Sequence, residues 1–239
     1  MRKSFILIII LFIAAVTLTI FLFDDESLLV LSREDGVFEW TTSILYFLSF
    51  LLFAWSYVKG KKGNDLILFR TRKNIIFFVL AIIMFLAAGE ELSWGQRILH
   101  VKTPDFFAHR NIQKEINLHN LDFLQPRDAS GQLKKGIAKF ASVPKIFLVF
   151  CFFFFLLIPL TNAWVPWLSK KYDRFNIPVL PVWIGVLYFI SFILFMAIDG
   201  VYIEKKSWWL AEISECNDSM FFFVSSAYFV FGHPRGGGS

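Results

Sequence analysis

The sequence predicts an all-α, polytopic membrane protein of about six transmembrane helices with an interfacial helical loop on its outer face. Hydrophobic residues make up 56% of the 239 positions, and 31 of them are Phe. Soluble domains hold roughly 45–50% apolar residues, and here the excess falls in long blocks. Lys and Arg gather in the short segments between those blocks, as the orientation bias of membrane proteins requires. One block, residues 74–97, runs without a break into GEELSWGQR, which places carboxylates at membrane depth.

The spans follow in order. The first is near 5–23, preceded by Arg2 and Lys3. It reads as an uncleaved signal anchor, since its apolar stretch is long and no small-x-small pattern precedes Asp24. A short acidic segment, DDESLLVLSREDG, leads to the second span near 38–58, which opens on Glu39 and Trp40. The loop KGKKGNDLILFRTRK carries six basic residues. The third span, 74–97, has no charge from 75 to 88. The longest polar stretch, 98–142, comes next, followed by the fourth span near 144–163. After the short loop WVPWLSKKYDRFN comes the fifth span, near 177–198. The sixth has the weakest signal. MFFFVSSAYFVF alone is too short to cross, and extending the span to 208–232 takes in Glu212, Glu215 and Asp218. Residues 1–235 form a single integral membrane domain, and 236–239 read as a linker or tag scar.

An even number of spans puts both termini on one side. That side collects twelve Lys and Arg in the termini and short loops, against three in the short loops opposite. The segment 90–143 adds eight to the second side, where long segments orient weakly. The expected location is the cell inner (plasma) membrane, with N and C termini cytoplasmic. Trp40, Trp94, Trp208 and Trp209 then fall at the outer interface, and Trp55, Trp164 and Trp167 at the inner one.

With this topology the unusual polar residues converge on the outer face. A helix continued through 90–97 would put Glu90, Trp94 and Arg97 on one face, within reach of an indirect Glu90–Arg97 pairing, with Glu91 about 100° round. Glu212 and Glu215 share a face at i, i+3. Several acids with few cations suit a general acid or a proton carrier. In the loop, Glu115 and His119 stand at i, i+4 between Asn117 and Asn120, and a helix there would present two metal-capable atoms on one side. HExxH is missing and zinc needs three or four ligands, so no metal is assigned. No cofactor is specified by any motif. The apolar residues of this loop, among them Phe106, Ile116 and Phe123, suit a segment lying on the membrane and capping a pocket between the spans. Cys151 and Cys216 are expected at different depths and unbridged. No nucleic-acid motif or basic domain is present.

The runs GEELSWGQR, TPDFF and EINLHNL, with REDGVFEW before the second span, resemble a pattern shared by bacterial multi-pass membrane proteins of unassigned activity. The resemblance covers Arg33 to Leu121 and implies a prokaryotic inner membrane location; it brings no catalytic roles with it.

The function expected from these residues is a membrane-integral enzyme acting at the outer leaflet on a lipid or lipid-linked substrate, by transfer or hydrolysis. Its partners would be the bilayer and that substrate, with no nucleic acid and no oligomeric state specified. Glu90 or Glu91 would act as acid/base and His119 as the second proton-transfer group. Arg97 would hold an anionic headgroup. Ser93, Trp94, Gln96, Glu115, Asn117, Asn120, Glu212 and Glu215 would line the substrate site. Two alternatives stand beside it: a proton- or cation-coupled transporter or channel, and a scaffold or sensor subunit that binds a partner protein.

Overall fold

Long apolar runs leave the backbone one solution away from water, the helix, whose polar groups are satisfied within the segment. The computed structural model describes residues 2–33, 35–59, 74–125, 134, 136, 142–201 and 208–232, and these are helical with no β-strand among them. The helices are α1 (Arg2–Leu22), α2 (Asp25–Ser32), α3 (Val37–Lys59), α4 (Ile75–Glu91), α5 (Asp105–Arg110), α6 (Val143–Cys151), α7 (Ile158–Trp164), α8 (Pro166–Arg174), α9 (Val182–Val201) and α10 (Trp208–Ala227). A π-helical turn, Phe152–Leu157, joins α6 to α7, and another, Tyr228–Gly232, extends α10.

Four helical stretches are long and apolar enough to cross a membrane: Arg2–Leu22, Asp25–Lys59, Val143–Trp164 and Val182–Val201. These mark the chain as a helical membrane protein, and large hydrophobic side chains stand exposed along them, such as Leu7, Leu11, Ile146, Val149, Ile190 and Met196. Most of the acidic stretch after the first span is a helix, α2, capped by the Asp24 carboxylate, which accepts from the Ser27 amide at 2.8 Å. Part of the short loop after the fourth span is likewise helical, as α8, with Pro166 in its first turn.

The least apolar of the expected spans lies at the centre. α10 packs against α1, α2, α3 and α9. Ile213, Phe221 and Phe222 on it are fully buried, and Asn217, Ser219, Ser225 and Ser226 are buried too. A helix walled off by other helices has no need to match lipid, which is why its polar residues are tolerated. The Phe222 ring stacks on Phe150 and Phe154, at 5.8 and 5.9 Å between centroids. At the end of the bundle away from Glu91, the Asn74 carboxamide caps α4 and donates to the Asn176 carbonyl at 2.6 Å.

Two expectations fail. The first is a third span continuing as one helix through Arg97. Instead α4 ends at Glu91, and Ser93, Trp94 and Gly95 follow with φ of 45°, 55° and 73°. Left-handed backbone costs a non-glycine residue roughly 1–2 kcal/mol. Here the Trp94 indole folds back on α4 and recovers it. The ring lies edge-on to Phe85 with centroids 5.8 Å apart, and its Nε1 donates to Glu90 at 2.8 Å. Only Gly89 permits this fold-back, because a Cβ there would lie 2.7 Å from a Trp94 ring carbon. The second failure is the helical loop. Between 98 and 125 the one α-helix is α5, and 111–121 is a compact turn structure closed by an antiparallel bridge between Asn111 and Leu121. Apolar residues at irregular spacing, with Asn at 111, 117 and 120, favour side-chain-to-backbone bonds over a helix.

Two segments come very close at Gly185 of α9, where a Cβ would stand 2.1 Å from the Phe155 carbonyl oxygen of the π-helical turn. Replacing Gly185 by Ala is expected to push the two segments apart and destabilise the protein by about 1–3 kcal/mol. A melting temperature in detergent that does not fall would contradict this packing.

Candidate functional site

The abrupt end of α4 sends the chain across the bundle end, and it brings Arg97 to three carboxylates. Its Nη2 donates to Glu39 at 2.6 Å, its Nη1 to Glu115 at 2.6 Å and its Nε to Asp35 at 3.1 Å. Glu39 belongs to the first turn of α3, Asp35 to the turn before it, and Glu115 to the loop. Burial opposes the charge on Arg97, but its hydrogen bonds with Glu39 and Glu115 and their negative charges outweigh burial and hold the guanidinium above the ordinary arginine value. The pairing with Glu90 expected from helical spacing is absent. Arg97 is committed to protein carboxylates and cannot also hold a substrate anion through a free fork.

The same turn builds a second layer. The Ser93 hydroxyl donates to Glu115 and accepts from the Asn117 carboxamide at 2.9 Å. Asn111 donates to Asn117 Oδ1 at 2.6 Å. Gln96 donates to Thr103 at 2.6 Å, and its carbonyl accepts from the Ile116 amide at 2.6 Å. Asn120 donates to the Gln113 carbonyl oxygen. Glu90 accepts from the backbone amides of Leu118 and His119, at 2.5 and 2.9 Å, besides the Trp94 indole. His119 Nδ1 lies 3.4 Å from the same carboxylate. Glu90 is thus the peg on which the NLHN segment hangs. Glu115 and His119, expected as neighbours on one helix face, go to different partners because no helix forms there.

Beneath this cap the remaining acids meet. Carboxylate oxygens of Glu91, Glu212 and Glu215 lie within 4.8 Å of one another, from the last residue of α4 and the first two turns of α10. They line a polar cavity of about 40 Å³ together with Ser32, Arg33, Glu39, Gln113, Asn117 and His119. The cavity has room for a few waters or a small polar group. Three converging carboxylates are also a donor set that a hard divalent cation accepts. The cavity adjoins a wider cleft of about 700 Å³, lined by Leu29, Ser32, Arg33, Asp35, Gln113, Trp209 and Glu212.

Sequence reasoning assigns Glu91, His119, Asn117, Glu212 and Glu215 to one site, and the fold brings them to one cavity. Glu90, Ser93, Trp94, Gln96, Arg97, Glu115 and Asn120 hold the cap over it. The residues that sequence reasoning misses are Ser32, Arg33, Asp35, Asn111 and Gln113. The first three stand in REDG and its approach, where the alternation of charge before a span is visible but not its partner 62 positions away.

Removing Arg97 strands Glu39 and Glu115, whose side chains are only 10% exposed, without a counter-charge. Arg97→Gln is expected to destabilise the protein by about 3–5 kcal/mol, the cost of breaking a buried ion network from one side. Proteolysis of 98–125 should accelerate in parallel. Unchanged unfolding in a detergent titration would show that the network carries no stability.

No protein-family model, curated protein or solved structure matches this chain, so its function is argued from the site.

Proposed function

We propose that the protein is a membrane-integral enzyme that acts on a lipid or lipid-linked substrate by transfer or hydrolysis, with Glu91, Glu212 and Glu215 as its acid/base centre. One observation carries this reading: three carboxylates within 4.8 Å of one another face a small polar cavity that continues into a wide cleft with both apolar and polar walls. Acids this close share protons readily, so one can donate while another accepts. His119, in the same cavity, is the second proton-transfer group. Glu90 and Arg97 act as positioning residues through the loop they hold. The exposed apolar Leu29 of the cleft suits a chain entering from the bilayer, and the polar end suits a headgroup.

The topology that goes with this reading has six spans: α1, α3, α4, α6 through α7, α9 and α10. Both termini lie in the cytoplasm, the membrane is the cell inner membrane, and the carboxylate site opens outward. The excess of basic residues in the termini and in the loops at 59–73 and 165–176 supports it. A cysteine at the exposed Lys102 should react with an impermeant thiol reagent in intact cells, and one at the exposed Lys170 only after lysis. Native Cys151 and Cys216 are buried and should stay silent. Labelling of Lys170→Cys from outside would invert the orientation.

A second reading, proton or cation transport, has its own support. α10 continues past Glu215 with Asn217, Asp218, Ser219, Ser225 and Ser226, and the Ser191 hydroxyl donates to Asn217 at 3.1 Å. The two readings separate in vesicles. Purified protein reconstituted with a total lipid extract should alter particular lipid species. Glu91→Gln and Glu215→Gln should slow that change by about 10²–10⁴-fold. Identical lipid profiles for wild type and variants, together with an ion flux that needs the acids, would replace the enzyme by a transporter.

A further inference from the structure

Arg97 is committed to three carboxylates, whereas Arg33 is not: among the described residues it has no ion-pair partner. It stands at the C-terminal end of α2, exposed, on the wall of both the small cavity and the wide cleft. Beside it the Ser32 hydroxyl oxygen is buried with no hydrogen-bond partner, on the wall of the same two spaces. Opposite stands Gln113, whose carbonyl oxygen is used by Asn120 while its carboxamide nitrogen has no acceptor among the described residues. Three donors without acceptors therefore border one cleft, and they need an anionic ligand with several oxygens.

An anion alone fits poorly, because Glu91, Glu212 and Glu215 converge next to it. Their spacing asks for a small cation. A nitrogen equidistant from three oxygens 4.8 Å apart sits about 2.8 Å from each, the length of a charge-assisted N–H···O bond. A primary ammonium offers three such donors. The cavity of about 40 Å³ admits a group of that size, whereas a trimethylammonium has no N–H to give the three carboxylates. Leu29, half exposed on α2, gives the cleft an apolar side on which an acyl chain can lie, with the buried Trp209 behind it.

We infer that this paired cavity and cleft bind a phospholipid with a primary-amine headgroup, its phosphate on Arg33, Ser32 and Gln113 and its ammonium between Glu91, Glu212 and Glu215. Such a lipid is the substrate class of the proposed enzyme; its turnover rests on that reading, and its binding does not. The site selects against phosphatidylglycerol through its carboxylates and against phosphatidylcholine because that headgroup has no N–H to donate to them.

The test is lipid binding by the purified full chain, measured by native mass spectrometry in detergent and independent of turnover. Dioleoyl phosphatidylethanolamine should bind at least tenfold more tightly than the phosphatidylglycerol and phosphatidylcholine of the same chains. Arg33→Gln should weaken it tenfold or more with an unchanged melting temperature. Leu29→Trp, which narrows the cleft without touching a charge, should weaken the lipid and leave free phosphoethanolamine alone. Glu215→Gln should erase the preference over phosphatidylglycerol. Equal binding of the three lipids, or Arg33→Gln binding like wild type, would overturn the inference. Phosphoethanolamine bound as tightly as the lipid would overturn its lipid source. Selective binding with no lipid turned over would leave this site standing and remove the enzyme reading alone.

Discussion

The cap over this end of the bundle depends on one half-buried guanidinium. Arg97 ties the start of α3, at Asp35 and Glu39, to Glu115 in the middle of the loop after α4. Glu39 and Glu115 are nearly buried, and either would be prohibitively unstable there as a lone charge. Arg97 reaches them only because α4 stops at Glu91 and turns through left-handed residues, and that turn depends on Gly89 leaving room for the Trp94 ring. A glycine, a strained turn and an ion network thus form one causal chain. Its product is a loop lying over the end of α10.

Hydropathy makes much of the bundle legible and hides its centre. Apolar runs reveal α1, α3, α4, α9 and the α6–α7 stretch because those helices carry large exposed apolar side chains. α10 gives the weakest signal and is the most enclosed, since helices on several sides relieve it of matching lipid. The convergence of Glu91, Glu212 and Glu215 is legible as well. Carboxylates at the ends of apolar runs are rare enough to single out, and the i, i+3 spacing of Glu212 and Glu215 fixes their common face. The true end of α4 and the irregular course of the loop are not legible, because both require knowing a tertiary partner. Helical spacing pairs Glu90 with Arg97, whereas the partners of Arg97 stand 58 and 62 positions earlier and 18 later.

Three carboxylates within 4.8 Å define an electrostatic condition as well as a geometry. At an effective dielectric of 20, two unit charges at that separation repel by roughly 3.5 kcal/mol, and three ionised groups carry three such repulsions. Among the described residues no arginine pairs with Glu91 or Glu215 as Arg97 pairs with Glu39 and Glu115. A proton, a bound cation or a ligand's ammonium among the acids relieves that repulsion.

The saturation of partners separates the two kinds of polar residue better than residue type does. Glu90 and Glu91 are adjacent in sequence and identical in chemistry, yet Glu90 accepts from two backbone amides and an indole while Glu91 faces the cavity. Arg97 and Arg33 divide in the same way: one is closed by three carboxylates, the other stands open at the mouth of the cleft. Evenly matched donors and acceptors hold a shape. A buried group left without such a partner, as the Ser32 hydroxyl is among the described residues, gains most from a complementary ligand. At this end of the bundle Arg33 and the carboxylates of Glu91, Glu212 and Glu215 line two neighbouring spaces. A ligand that carries both signs is complementary to the two together, which links the cleft to the acids behind it.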